Sequence, residues 1–131
     1  MQLYLVRHAE AADGEPDELR SLTAEGRQAA RGLGERLAAE GIRPDAVLTS
    51  PLLRARETAA EVARPAGLRA EADERLAPGA TAEDVKAAAS ERGETVVVVG
   101  HQPDCGRIAA VLTGAEEPPF PPAGMLAIEL A

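Results

Sequence analysis

Apolar and polar residues alternate along this chain in two distinct rhythms. Residues 2 to 6, Gln-Leu-Tyr-Leu-Val, and residues 95 to 99, Thr-Val-Val-Val-Val, are short runs without polar alternation. Such runs suit strands covered on both faces, as in a parallel sheet. A third run, "DAVLTS" at 45 to 50, predicts another strand. It ends at Ser50, and Ser50 followed by Pro51 predicts a helix N-cap and first helical residue. That helix runs to about Ala63 and is closed by Pro65 and Gly67.

Helical spacing also appears after Thr23, a good N-cap. Ala30, Leu33 and Leu37 share one stripe, and Gly41 supplies a stop. Further helices are predicted from Thr81 to about Arg92 and from about Pro103 to Leu112. Residues 9 to 22, acidic and carrying Gly14 and Pro16, read as a loop beside the end of the first strand. Residues 68 to 80 read as a short strand followed by the loop "LAPGA", and "EEPPFPP" as a proline-rich loop. "GMLAIEL" is a final strand, expected to run antiparallel at an edge. The alternation predicts an α/β fold: a three-layer α/β/α sandwich around a mostly parallel sheet.

Composition narrows the class. The 131 residues suit one domain, 1–131, and 45% of them are hydrophobic, enough for a sizeable core. The formal net charge of -8 argues against nucleic acid and anionic membranes as partners. An anionic substrate must then be drawn in by a local cluster of positive charge. Cys105 is the single cysteine and there are two histidines, which excludes an internal disulfide framework and a structural zinc site. The lone cysteine and the short opening run, too brief for a signal or a membrane span, predict a cytoplasmic protein.

Connections between parallel strands place their C-terminal ends on one side of the sheet, where ligands of open α/β folds bind. The first strand delivers Arg7 and His8 to that side. The second delivers Ser50 and, a helical turn on, Arg54; "TVVVV" delivers His101. Taken singly, each of these reads as a solvated turn residue. That both histidines of the chain fall at exits of one sheet points to a site. Arg54 lies in the first turn of a helix whose free N–H groups favour an anion. Arginine's planar fork makes paired hydrogen bonds to phosphate oxygens, so a phosphoryl group fits this cluster.

"LVRHAEA", "LTSPLLRARETA" and "VVVVGHQPD", in this order, resemble the histidine phosphatase superfamily, which includes phosphoglycerate mutase. The likeness covers nearly the whole chain. "LRSLTAEG", "RLAPGA" and "FPPAGMLAIEL" are most similar to its small SixA-type branch, the phosphohistidine phosphatases. The resemblance implies a phosphoglycerate mutase-like fold with His8 as nucleophile and Arg7, Arg54 and His101 completing the phosphate pocket. Ala9 stands where the family often has glycine. Arg20 matches an often basic position and is a candidate for the pocket rim, although it reads equally as a solvated charge ahead of a helix.

Covalent catalysis through a phospho-His8 intermediate follows from that resemblance, with no metal and no cofactor required. Neighbouring guanidinium groups should lower the His8 pKa and keep it neutral. A general acid is not evident: Glu74, Glu10, Asp13 and Asp17 are candidates, each also readable as a surface charge. An imidazole leaves more readily than an alkoxide, so a missing acid favours phosphohistidine on a partner protein as substrate. The short link after the second strand agrees, since it predicts a shallow, open pocket. The alternatives are a small-molecule phosphomonoesterase and a non-catalytic phosphate-binding module. A cysteine phosphatase is set aside because the residue six beyond Cys105 is Val111, not arginine. Cys105 is expected to be a small helix residue near the site, with a thiol that oxidation could reach.

Overall fold

The computed structural model describes residues 1–131. Its elements follow the order β1 (Gln2–Arg7), α1 (Ala24–Ala39), β2 (Ala46–Thr49), α2 (Leu53–Ala63), β3 (Glu71–Ala72), α3 (Ala82–Ala89), β4 (Thr95–Gly100), α4 (Asp104–Thr113) and β5 (Met125–Glu129). The five strands form one sheet in the order β3-β2-β4-β1-β5. β1, β2, β3 and β4 are parallel, and β5 pairs antiparallel with β1 at the edge. The expected α/β/α sandwich with an antiparallel edge strand is therefore the observed one.

Successive side chains on a strand point to opposite faces, and here both faces are covered. Leu3, Leu5, Leu48, Val96 and Val98 pack on one face with Val85 of α3 and Ile108 of α4. Tyr4, Val6, Val47, Val97 and Val99 pack on the other with Leu33 and Leu37 of α1 and Ala59 and Val62 of α2. This double covering is why "LYLV" and "VVVV" show no polar alternation. Each fully buried Val or Leu contributes about 1.5–3 kcal/mol relative to exposure. At the edge, β5 turns Ile128 inward while Ala127 and Glu129 face solvent.

Helix starts follow local chemistry. The Thr23 hydroxyl accepts from the Gly26 N–H at 2.9 Å and caps α1. Thr81 and Asp84 form a reciprocal capping box at the start of α3. α3 ends at Ala89, short of Arg92, because Ser90 leaves the helical region and Glu91 adopts a left-handed φ of 61°. α2 also departs from expectation. It begins at Leu53 with Leu52 at the N-cap, and no side chain caps it. Ser50 is instead held at the sheet end, its hydroxyl accepting from the Leu52 N–H at 3.2 Å and lying against His101.

α1 and α2 meet closely at Gly34, where an added Cβ would lie 2.6 Å from the Glu61 carbonyl oxygen. That contact anchors α2, which carries Arg54, against the neighbouring helix. No helix is long and apolar enough to cross a membrane.

Candidate active site

β2, β4 and β1 are adjacent and parallel, so their C-terminal ends lie side by side. Backbone bonds fix the level of each exit: the His8 N–H donates to the Gly100 carbonyl at 2.9 Å and the Ser50 N–H to the Val99 carbonyl at 3.0 Å. The His8 and His101 rings leave these exits edge to face, with centroids 5.1 Å apart at 60°. The two imidazoles thus share one space, as the sequence predicts.

His8 Nδ1 lies 2.7 Å from the Ala9 carbonyl oxygen. A carbonyl only accepts, so Nδ1 carries the proton and Nε2 of a neutral ring keeps its lone pair. The Ala9 N–H donates to Thr58 Oγ1 at 3.0 Å, and the Thr58 hydroxyl donates to the Arg54 carbonyl at 2.8 Å. α2 therefore holds the peptide that orients His8. Ala9 is fully buried in this contact, which accounts for a small residue there. His101 Nε2 pairs with Ser50 Oγ at 2.7 Å.

Arg54 is 8% exposed. Its guanidinium donates to the Asp17 carbonyl at 2.9 Å and to Asp17 Oδ2 at 3.2 Å. Arg20 donates to the other oxygen, Asp17 Oδ1, at 2.9 Å, and to the Ala12 carbonyl at 2.8 Å. The Asp17 carboxylate thus bridges Arg54 and Arg20, and the 9–22 loop folds over the sheet end. Arg20, ambiguous in the sequence, belongs to the cluster. Arg7 donates to the Phe120 carbonyl at 2.9 Å, while its buried Nε has no partner.

The electrostatics keep both rings neutral. Burial lowers the His8 pKa from 6.5, and the charges of Arg54, Arg7 and Arg20 pull the same way against the bond to Ala9. Burial, and then the charges of His8 and Arg54, lower the His101 pKa to about 4. Hydrogen bonding to Arg20, reinforced by Arg54, holds Asp17 below the usual carboxylate range. Asp17 is therefore ionised at neutral pH and accepts rather than donates protons.

The other acid candidates have other surroundings. Glu10 accepts from the Thr23 hydroxyl at 2.8 Å, near the start of α1. Asp13 is exposed in the loop, and Glu74 is exposed in the single turn that follows β3. No group of three His, Cys, Asp or Glu side chains gathers in an arrangement that could hold a metal ion. Cys105 corrects one expectation: it is 1% exposed, and burial pushes its thiol up to about 12. A buried thiol that stays protonated is a poor target for oxidation.

Two contributors escape a reading by strand exits, and a third, Ser50, is placed at one but read as a helix cap. Thr58 sits mid-helix at i+4 from Arg54, where a threonine usually bonds its own helix, as it also does here. Phe120, the only phenylalanine, is buried within the proline-rich segment and offers its carbonyl to Arg7. Ser50 carries the signature of a cap but serves His101.

Residues 3–78 match the model of the histidine phosphatase superfamily (branch 1). Over 127 residues the chain is 32% identical to the phosphohistidine phosphatase SixA of Escherichia coli, covering 92% of this chain and 79% of that one. The structure of the protein histidine phosphatase SixA complexed with tungstate superposes with a TM-score of 0.89 at 30% identity, over 99% of this chain and 88% of the other. A protein of Agrobacterium tumefaciens described as a phosphohistidine phosphatase SixA gives 0.83 at 27% identity, over 96% and 89%. Family model and near full-length relatives agree, and the chain belongs to the histidine phosphatase superfamily, on its SixA-type branch, as a hydrolase of the phosphatase class.

Proposed function

We propose that this protein removes phosphate from phosphohistidine on a partner protein, through a covalent intermediate on His8. The observation that carries the proposal is the neutral His8–His101 pair at 5.1 Å, flanked by the guanidinium groups that lower the His8 pKa. His8 Nε2 attacks phosphorus, and a P–N bond forms there as the P–N bond to the substrate imidazole breaks. The substrate ring, already protonated from solvent on its other nitrogen, keeps the electron pair of the broken bond and leaves as neutral imidazole. Water then attacks the phospho-His8 phosphorus, releasing inorganic phosphate and restoring the ring.

Arg7, Arg54 and His101 would bind the equatorial oxygens, with Arg20 at the rim. Such preorganised donors act on charge that develops in the transition state, at little reorganisation cost. The tungstate in the solved relative supports this, since it is a tetrahedral oxyanion like phosphate. An incoming phosphoryl dianion would compete with Asp17 for the same two arginines.

The state of Asp17 also supports the choice of substrate. The acidic side chain that touches Arg54 is held ionised, so it offers no proton to an alkoxide. An imidazole leaving group, with a reference pKa near ~6.5, needs that help far less. The three-residue link between Thr49 and Leu53 adds no segment to enclose a small molecule, which suits a side chain presented by a protein. A cytoplasmic location is part of this proposal, in keeping with the lone cysteine.

A direct comparison tests the substrate. With a histidine-phosphorylated protein and an alkyl phosphoester at equal concentration, kcat/KM should favour the phosphohistidine by about 10²-fold or more, the usual contribution of a positioned proton donor. Equal or greater turnover of the ester would favour the phosphomonoesterase alternative. Phosphate binding without turnover of either would leave only a binding module.

A further inference from the structure

Apart from the site itself, a groove between α2 and β3 departs from the acidic character of this molecule. Its volume is about 600 Å³, and its lining includes Arg56, Arg64 and Arg69 but no carboxylate residue. The sequence explains one wall. Arg56, Ala60 and Arg64 are spaced by four along α2 and its C-cap, which stacks them on a single stripe. The facing wall is the segment from Leu68 to Ala72 that leads into and forms β3. Ala60, Leu68 and Ala72 give the groove an apolar floor beneath its arginines.

Two of these three charges are not spent on internal ion pairs. Arg64 is bound to Glu61 at 3.1 Å. Arg56 and Arg69, both exposed, take part in none of the ion pairs of the molecule. In a chain of net charge -8, two unpaired guanidinium groups facing one groove form a local positive field within a repulsive surface.

The groove reaches the reactive end of the sheet. Thr49 lines it, and the next residue, Ser50, holds His101 at 2.7 Å. Arg56 stands in the same first turn of α2 as Arg54 but is turned about 200° from it around the helix axis, so the groove meets the site at the Thr49–Ser50 end of β2. A chain whose phosphorylated side chain enters the site would cross that strand end to continue into the groove.

We propose that this groove docks an acidic segment of the phosphoprotein substrate, a proposal that rests on the phosphohistidine reading above. Charge complementarity selects the occupant. The surface as a whole repels an acidic partner, so the groove arginines both steer it and fix its register. The apolar floor accepts small or aliphatic side chains between the carboxylates. A nucleic acid fits less well, because its affinity comes from many phosphate contacts and the groove offers two free arginines on an acidic body. Docking also gives the enzyme selectivity that a pocket recognising only the phosphoryl group lacks, since remote binding energy can be used at the reacting centre.

Peptides carrying one phosphohistidine, joined through spacers of increasing length to a run of glutamates or of glutamines, test the proposal. Wild-type enzyme should hydrolyse the glutamate peptide with kcat/KM about tenfold higher at the best spacer, and salt should erode the preference. The R56E/R69E variant changes two exposed side chains and keeps the fold. It should lose the preference while its turnover of free phosphohistidine stays within about twofold of wild type. Hydrolysis of both peptides with no preference, or a preference that survives in R56E/R69E, overturns docking and leaves the phosphatase reading intact. Tight binding of a single-stranded oligonucleotide that R56E/R69E abolishes overturns the choice of partner. Failure of the wild type on both peptides and on free phosphohistidine overturns the functional reading itself.

Discussion

At the residue scale, the proposed chemistry depends on two rings being kept neutral in a field of guanidinium charge. His8 is oriented by the Ala9 carbonyl and His101 by Ser50, at 2.7 Å in each case. His8→Ala should abolish turnover, because it removes the nitrogen proposed to carry the phosphoryl group. Arg54→Ala or His101→Ala should lower kcat by about 2.7–4 kcal/mol of transition-state stabilisation, the scale set by removal of one oxyanion donor. Steady-state kinetics on a phosphohistidine protein measures both. Ser50→Ala removes the partner of His101 and should cost about 1 kcal/mol in kcat/KM. Unchanged kinetics in that variant would show that the serine does not position the ring. NMR titration of the free enzyme should place the His101 midpoint near 4 and the His8 midpoint below 6.5. A midpoint above 6.5 for either ring would contradict the proposed electrostatics.

Elements bring these residues together, and α2 does most of the positioning. It carries Arg54, sends Thr58 to the Ala9 amide, and packs on α1 at Gly34. Gly34→Ala forces a methyl group against the Glu61 backbone and should destabilise the protein by about 1–3 kcal/mol in urea unfolding. Strand exits were legible because doubly buried strands write themselves as uninterrupted apolar runs, and Arg7, His8 and His101 follow two such runs directly. Arg54 was legible from its place one turn into the next helix. Ser50 was placed at a strand exit but misread as a helix cap, because a hydroxyl ahead of a proline has the same local pattern whether it caps a helix or holds an imidazole. Only the tertiary approach of β4 to β2 decides between them. The Asp17 bridge and the Phe120 carbonyl lie in loops, where no periodicity shows which way a side chain turns. The end of α3 was placed too late because Glu91 adopts a left-handed conformation that non-glycine residues rarely take.

On the scale of the whole molecule, buried neutral imidazoles couple stability to pH. The His101 pKa is about 4 in the folded protein against 6.5 for the free side chain, so the unfolded chain binds a proton first as pH falls. Stability should therefore decline between pH 6.5 and about 4, by on the order of 3 kcal/mol from this residue alone. Carboxylates held low by their partners, Asp17, Glu57, Asp73 and Asp84, extend the loss to lower pH, since each must be protonated before its interactions are surrendered. Unfolding midpoints followed from pH 7 to about 2 check this, and His101→Gln should flatten the upper part of the curve. The central claim concerns a covalent bond on one named atom. Rapid quenching of the enzyme with a labelled phosphohistidine substrate should trap label on the protein in an acid-labile, alkali-stable linkage that maps to His8 and is absent from His8→Ala. Turnover by His8→Ala at near wild-type rates, or label residing on any other side chain, would contradict the account.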